Sequence, residues 1–361
     1  MKVSVAMITY NHEEFIAQAV ESALMQETDF DYEIVIGEDC STDGTGEILK
    51  TYQKVHPDKV RVLPRERNLG IHRNFVDTLG SCTGKYVALL EGDDYWISPH
   101  KLQKQVDFLD NHPECVLSFH NVKQFYQDGS REAMLRNSID QKAILSLEDV
   151  LVDHSITTCS VMFRNGLVTE LPPWFYTLPV GDWPFWILLA QHGNLGYINE
   201  VMASYRRHPG GLYSSKTCLE WLPRILETYD VVDRALSYKY HSYVEEGKTR
   251  WTQATAQQYF AEVVKSMGPA EAAQAFASVF DQCTEWNPSL RKQLLGKLCA
   301  TYFFHAAAVE DYATVRKSSL MLARYAPFRF KERRVLSRAV KALMGPHMAN
   351  WVRKAMRWAG L

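Results

Sequence analysis

The chain has 361 residues, of which 46% are hydrophobic and 23% are charged, and its formal net charge at pH 7 is −2. This length predicts one large domain with a smaller one, or two domains, and the composition is that of an ordinary globular protein without an apolar run that could span a bilayer. The seven cysteines are scattered without a Cys-x-x-Cys pair. They argue against a zinc site or a disulfide framework and predict reduced thiols in a cytoplasm.

The first half of the chain alternates strand and helix patterns. Strands are predicted at 3–9, 32–37, 60–63, 86–90, 116–125 and 157–163, helices at 13–25, 45–55, 72–79 and 99–109, and a polar loop at 127–143. The first run reads as a strand and not as a signal peptide. This alternation predicts a mostly parallel sheet with helices on both faces. The pattern is helical after about Tyr213, so we predict domains at 1–213 and 214–361.

The apolar run 86–90 ends abruptly in a glycine and three carboxylates, Glu91, Asp93 and Asp94. Buried carboxylates are costly unless something pairs with them. Ligands of open α/β sheets bind at the carboxyl ends of the strands, where this cluster would lie. The cluster therefore predicts a site for a hard cation, Mg²⁺ or Mn²⁺, that also contacts substrate phosphates. A solvated acidic turn is the alternative.

Further motifs accompany this cluster in a fixed order. They are Thr9-Tyr10-Asn11, Glu38-Asp39-x-Ser41-x-Asp43-Gly44-Thr45, Arg67-Asn68-x-Gly70-x-x-x-Asn74, Gly84-Lys85-Tyr86 and Glu91-Gly92-Asp93-Asp94-Tyr95-Trp96-x-x-Pro99-x-Lys101-Leu102-x-x-Gln105. Together they resemble the family 2 glycosyltransferases, which are inverting, nucleotide-sugar-dependent enzymes. The resemblance covers roughly residues 1–213. It implies an α/β fold of the GT-A type, which is Rossmann-like, followed here by an α-helical C-terminal region.

The resemblance implies a site for the donor nucleotide. Its residues are Thr9, Tyr10, Asn11, Glu38, Asp39, Asn68, Arg73, Asn74, Glu91, Gly92 and Asp93. A carboxylate can only accept a hydrogen bond, so Asp39 or Glu38 suits the N3–H of uracil or thymine. The family usually has two aspartates here. We favour Asp39 for the base and assign Glu38 to the ribose or a neighbouring loop, whereas Arg73 is equally well explained as a surface residue of a helix.

The resemblance also implies the metal ligands and the catalytic base. The metal, Mn²⁺ or Mg²⁺, would be held by Asp93, Asp94 and His208, and it would neutralise the departing diphosphate. A loop histidine without such a role is the alternative for His208. Asp182 is the predicted base, which takes the proton of the acceptor hydroxyl in a one-step inverting displacement. The family often has Glu-Asp where this chain has Gly181-Asp182. Capping of a helix at 183–191 is the alternative for Asp182.

The residues Trp96, Trp183 and Arg206 are assigned to the acceptor site or to a lid. Sugars stack on aromatic rings, although core packing is the better explanation for any single tryptophan. The glycines Gly210 and Gly211 would allow the loop after Arg206 to close over the donor.

The C-terminal tail is strongly basic. Residues 316–361 contain twelve Lys or Arg and one acid, which leaves 28 basic and 41 acidic residues in the rest of the chain. Apolar residues recur at helical spacing in 335–344 and 351–358, with basic residues on the other faces. This pattern suits an anionic membrane surface, or a helix pair docked on the acidic body. No nucleic-acid-binding motif is recognised.

The sequence therefore predicts a cytoplasmic, metal-dependent, inverting glycosyltransferase, peripheral at the inner face of the membrane if the tail binds there. It would move a sugar from a UDP-sugar, or a dTDP-sugar, to a glycan or lipid-linked acceptor in surface polysaccharide assembly. The acceptor class follows from family analogy alone.

Two other functions remain open. One is a sugar-1-phosphate nucleotidyltransferase, which usually needs a Gly-rich loop where this chain has Tyr10-Asn11-His12-Glu13-Glu14. The other is a non-catalytic, membrane-docked binding protein with the same fold. The presence of Glu91, Asp93, Asp94 and Asp182 argues against it.

Overall fold

The computed structural model describes residues 1–214, 216–282, 288–309 and 311–327, together with Arg329, Val335, Arg338, Ala339 and Ala342. The chain divides into two units. Unit 1 comprises Met1–Ser215 and Thr228–Gly247, and unit 2 comprises Lys216–Glu227 and Lys248–Leu361. The domain division at residue 213 stays a prediction.

Unit 1 is built on one large sheet. Its strands are β1 Val3–Thr9, β2 Tyr32–Glu38, β3 Val60–Pro64, β4 Tyr86–Glu91, β5 Tyr95–Trp96, β6 Cys115–Tyr126, β7 Met134–Leu135, β8 Ile144–Leu145, β9 Met162–Arg164 and β10 Asn194–Arg207. Its first six helices are α1 Ile16–Leu24, α2 Thr45–Val55, α3 Ile71–Gly80, α4 Lys101–Asn111, α5 Leu147–Val152 and α6 Asp182–Ala190, and 3₁₀ helices lie at Thr158–Ser160 and Pro173–Thr177.

The strand order is β3-β2-β1-β4-β9-β6-β10-β5, with β7 on β6 and β8 on β10. The sheet is mixed. The long pairs β1–β2, β1–β4, β2–β3 and β6–β10 are parallel, whereas the antiparallel pairs extend over only two or three residues. The predicted α/β class is confirmed. The strand expected at 157–163 is instead a 3₁₀ helix followed by β9, and β10 has no counterpart among the predicted strands.

The register of the parallel strands determines where the site forms. All residues of β2 and nearly all of β1 and β4 are buried, as is typical of strands covered by helices on both faces. Thr9 at the end of β1 pairs with Glu38 of β2, and Ile8 pairs with Glu91 of β4. The three strands therefore end together, and the residues that follow them meet at one edge of the sheet.

The described residues beyond 217 are mostly helical, as predicted. The helices are α7 Cys218–Ala235, α8 His241–Val263, α9 Pro269–Gln282, α10 Pro288–Ala308 and α11 Tyr312–Tyr325. Within unit 2, Val335, Ala339 and Ala342 are buried in a cluster with Phe303. Their burial favours docking for this part of the tail. The rest of the predicted basic segments in 329–361 lies outside the described residues. In the described part of the chain, no helix has both the length and the apolar character needed to cross a membrane.

Candidate active site

Gly92 follows β4 at the point where this strand runs closest to the end of β1. Its N–H donates to the Ile8 carbonyl at 3.0 Å. A Cβ at this position would lie 2.6 Å from Thr9 Oγ1 and 2.9 Å from His12 Nδ1. These distances are far shorter than van der Waals contact. A glycine is therefore needed for the two strand ends to come together.

Asp93 is the partner of two histidines. Its Oδ2 lies 3.1 Å from His208 Nε2 and 3.8 Å from His12 Nε2. Desolvation opposes the ionisation of Asp93, but the hydrogen bond to His208 and the neighbouring imidazoles outweigh it and lower the pKa of this carboxyl. The sequence analysis selected Asp93 and His208 and passed over His12. The only available signal was the position of His12 directly after the Thr9-Tyr10-Asn11 motif.

The ring of His12 is held by its neighbours. Its Nδ1 lies 3.2 Å from Thr9 Oγ1, and its backbone N–H donates to Thr45 Oγ1 at 2.9 Å. Burial lowers the pKa of His12, which favours a neutral imidazole. With Nδ1 engaged by Thr9, Nε2 is the nitrogen that faces Asp93.

The adjacent carboxylate, Asp94, points in another direction. It is 3% exposed, and its Oδ1 accepts the backbone N–H of Arg206 in β10 at 2.8 Å. Burial raises the pKa of Asp94 well above its usual range, although the hydrogen bonds with Arg206 and with the Cys159 thiol oppose this effect. The assignment of Asp94 as a metal ligand stays a prediction, but its position favours a structural role.

Arg206 ties the acidic turn to the sheet. Its Nε donates to the Asp93 carbonyl at 2.8 Å, and its guanidinium also bonds Gln18 and Gln127. The guanidinium lies over the ring of Phe15 at 4.7 Å. The proposed role in a lid or acceptor site is untested, and these contacts favour a role in fixing the position of Asp93.

The carboxyl groups of Glu91, at the end of β4, and Asp182, at the start of α6, interact with each other. Burial and, after it, the charges of Asp93 and Asp182 together raise the pKa of Glu91 to about 8. The side chain of Thr158, in the first 3₁₀ helix, lowers the pKa of both Glu91 and Asp182 by hydrogen bonding. No motif or spacing in the sequence indicates that Thr158 lies beside both acids.

Asp182 is exposed. Desolvation raises its pKa, although the backbone N–H of Trp183, at 2.8 Å from Oδ1, and the nearby His72 oppose this shift. A Cβ at position 181 would lie 3.3 Å from His72 Nε2. Gly181, where the family often has Glu, therefore makes room for the ring of His72, which the sequence analysis also missed.

Glu38 and Asp39 bind two different loops. Glu38 Oε1 accepts the N–H of Ser41 at 2.7 Å, which matches the loop role that the sequence allowed for it. The two oxygens of Asp39 accept the N–H groups of Leu69 and Gly70 at 2.7 and 3.0 Å. Asp39 therefore fixes the start of α3. Its carboxylate retains acceptor capacity for a base, and this role stays a prediction.

The other predicted donor residues divide into exposed and buried sets. Tyr10, Asn11, Asn68 and Arg73 are exposed. Asn11 has a left-handed backbone with φ of 55°, and its Oδ1 accepts the Thr42 N–H at 2.8 Å. By contrast, Asn74 is 2% exposed and contacts the Gly37 carbonyl and the Arg65 guanidinium. These contacts indicate a structural role for Asn74.

The two tryptophans assigned to the acceptor are buried, with exposures of 1% for Trp96 and 4% for Trp183. The indole N–H of Trp96 donates to the Cys159 carbonyl at 2.9 Å, and that of Trp183 donates to the Val150 carbonyl at the same distance. Their placement favours core packing, the alternative that the sequence left open.

A cavity of about 360 Å³ lies beside His208. It is lined by residues of the β1–α1 loop, among them Asn11 and Glu13, and by the segment that continues from His208 to Gly210. Gly210, the first of the two adjacent glycines, thus lines an open space that His208 also borders.

A divalent metal fits part of this arrangement. Asp93 and His208 bring a carboxylate oxygen and an imidazole nitrogen together, and both are common metal ligands. Among the described residues, no three or more His, Cys, Asp or Glu side chains form a group that could hold a metal ion by themselves. Mg²⁺ and similar ions are often bound by one or two carboxylates plus substrate phosphates. The donor set is therefore suited to a metal that binds together with a diphosphate.

The mixed α/β sheet and the acidic residues at the end of β4 define a protein of the GT-A type. Residues 4–169 match the family model described as Glycosyl transferase family 2. A relative, the putative teichuronic acid biosynthesis glycosyltransferase TuaG of Bacillus subtilis, is 33% identical to this chain. The match covers 82% of TuaG and 59% of this chain. The chain therefore belongs to this family.

Two further comparisons extend this result. An uncharacterized protein of Mycobacterium tuberculosis is 37% identical over 59% of this chain and 61% of its own length. The chain therefore spans about three fifths of that relative. The crystal structure of S. aureus TarS is similar in fold, with a TM-score of 0.54 at 19% identity over 88% of this chain and 55% of that chain.

Proposed function

We propose that the protein is an inverting glycosyltransferase that moves a sugar from a nucleotide-diphosphate donor, with UDP-sugar favoured, to a hydroxyl group of a glycan or lipid-linked acceptor. One observation supports this most strongly. Glu91, at the end of β4, lies close enough to both Asp93 and Asp182, at the start of α6, for the charges of these two carboxylates to raise its pKa. This proximity supports a donor site and a base at one place. The teichuronic acid named for TuaG supports an acceptor in surface polysaccharide synthesis.

The chemistry assigned to Asp182 is proton removal. As the acceptor oxygen forms its bond to the anomeric carbon, its proton passes to the Asp182 carboxylate. The bond from the anomeric carbon to the phosphate oxygen breaks, and its electron pair leaves with the nucleoside diphosphate. A raised pKa brings this base closer to the working pH. When bound by Asp93 and His208, Mn²⁺ or Mg²⁺ would supply positive charge to the departing diphosphate.

Calorimetric titration with UDP, with and without Mn²⁺, tests the donor site. We expect Mn²⁺ to strengthen binding at least about tenfold, since the metal contributes charge stabilisation worth more than 1.4 kcal/mol. This gain should vanish in Asp93→Ala. Asp58→Ala, which removes an exposed aspartate of the α2–β3 connection, is the matched control and should bind like the wild type.

The same titration with dTDP and GDP tests the choice of nucleotide. Failure of all three nucleotides to bind, in the presence or absence of metal, would contradict the proposed function. Turnover of a UDP-sugar by Asp182→Asn at the wild-type rate would instead contradict the role of the base.

A further inference from the structure

The sequence analysis named Asp94 as the second carboxylate ligand of the metal, but in the structure it is His12 that faces Asp93. Its Nε2 lies 3.8 Å from Asp93 Oδ2, and the Nε2 of His208 lies 3.1 Å from the same oxygen. The two imidazoles meet edge to face, with ring centroids 6.2 Å apart. Two ring nitrogens on different elements, the β1–α1 loop and the end of β10, are thus directed at one carboxylate oxygen.

These distances are close to those of metal ligands. Ligands that occupy neighbouring positions at about 2.1 Å from an octahedral metal are about 3.0 Å apart. The separation of His208 and Asp93 already matches this value, and His12 would need to approach Asp93 by roughly 0.8 Å. By contrast, Asp94 Oδ1 is committed to the Arg206 backbone N–H at 2.8 Å.

The surroundings of His12 are also those of a ligand. Metal-binding histidines almost always engage their second ring nitrogen with another group, which fixes the ring orientation. Here Thr9 Oγ1 lies 3.2 Å from His12 Nδ1. The absent side chain of Gly92 provides space for the ring, since a Cβ there would lie 2.9 Å from Nδ1.

We propose that His12 is a third protein ligand of the catalytic metal, with Asp93 and His208, and that Asp94 is not a ligand. This inference rests on the proposed function, because no complete group of metal-binding side chains stands ready among the described residues and the nucleotide diphosphate must complete the coordination. Imidazole suits transition metals better than Mg²⁺, which prefers oxygen ligands. Mn²⁺ should therefore bind more tightly than Mg²⁺ in the presence of UDP.

Electron spin-echo spectroscopy of Mn²⁺ bound with UDP reports directly on nitrogen ligands. The experiment uses the wild type, His12→Ala, His208→Ala and the double variant, with His192→Ala as the control for an exposed histidine. We expect nitrogen coupling in the wild type and in each single variant, and loss of the coupling only in the double variant. Calorimetry should show that His12→Ala weakens Mn²⁺ binding to the UDP complex by about 10–100-fold.

The possible outcomes distinguish a failure of the proposed role of His12 from a failure of the proposed glycosyltransferase function. Loss of all nitrogen coupling in His208→Ala alone, with His12→Ala bound to Mn²⁺ as tightly as the wild type, would overturn the role of His12 and leave the glycosyltransferase proposal intact. Failure of UDP, dTDP and GDP alike to bind to the folded wild type, with or without metal, would overturn both. The spectrum of His208→Ala is informative even if His12→Ala does not fold.

Discussion

Replacement of Gly92 by alanine tests whether the site depends on the close contact between β4 and β1. The new Cβ would stand 2.6 Å from Thr9 Oγ1, 2.8 Å from Thr9 Cβ and 2.9 Å from His12 Nδ1. Carbon atoms pack at about 3.5 Å or more, so the Thr9 Cβ contact must open by about 0.7 Å. Thr9 belongs to a ladder paired with β2. Rotation of a side chain cannot relieve a contact with its Cβ, so the backbone itself must move.

Overpacking of this kind costs about 1–3 kcal/mol. For a unit of this size, the loss corresponds to a thermal transition about 2–12 °C lower. The displaced His12 ring should also weaken Mn²⁺-dependent binding of UDP. Both effects can be measured on one preparation, by calorimetric scanning and by titration.

Gly80→Ala is the matched control. Gly80 is the last residue of α3, and a Cβ there would meet nothing within 4 Å. This change should leave the transition unchanged or raise stability by about 0.4–1 kcal/mol. If Gly92→Ala has the same transition temperature and the same UDP affinity as Gly80→Ala, the site does not depend on the close approach of the two strand ends. That result would refute the reasoning.

Three further predictions concern the base and the buried indole. Asp182→Asn should reduce sugar transfer about 10²–10⁴-fold with UDP affinity unchanged, as measured by turnover and calorimetry; a parallel loss of UDP binding would indicate a collapsed site. In the wild type, transfer should decline as the pH falls through a pKa above the usual aspartate value, because desolvation raises the pKa of Asp182 and only the ionised form accepts a proton; a rate that stays constant down to pH 4 would argue against this base. Trp96→Phe should lower the free energy of unfolding by about 1–3 kcal/mol, because the buried Cys159 carbonyl loses its hydrogen-bond donor. A change in the KM for the acceptor without a loss of stability would instead support a role for Trp96 in stacking on the sugar.

The sequence predicted the central parallel strands well, for a physical reason. Strands buried on both faces, such as β1, β2 and β4, appear as continuous apolar runs bounded by polar turns. The missed strand, β10, lies at a place where this signal fails. Its pairing with β6 shifts register three times along its length, and each irregularity interrupts the alternation of inward and outward side chains. No two-residue period survives in its sequence.

Residues of the candidate site could be predicted only where they belong to a recognisable sequence motif. Asp93 and His208 were both selected, and the structure brings them to 3.1 Å. Thr158 and His72 were not, since a lone threonine in an apolar segment and a histidine in a helix have many ordinary explanations. Their proximity to Asp182 depends on the tertiary fold, because they reach it from the first 3₁₀ helix and from α3.

Adjacent acids in a motif need not share a role, and the turn after β4 shows why. The Asp94 N–H bonds back to the Glu91 carbonyl at 3.1 Å, so the chain reverses between these two residues. The reversal directs Asp93 towards the two histidines and Asp94 towards the backbone of Arg206. Arg206 in turn donates to the Asp93 carbonyl. Asp94 and Arg206 therefore fix the turn from the protein interior, and the Asp93 carboxylate stays partly exposed, with 20% of its side-chain surface accessible, as the proposed metal site requires.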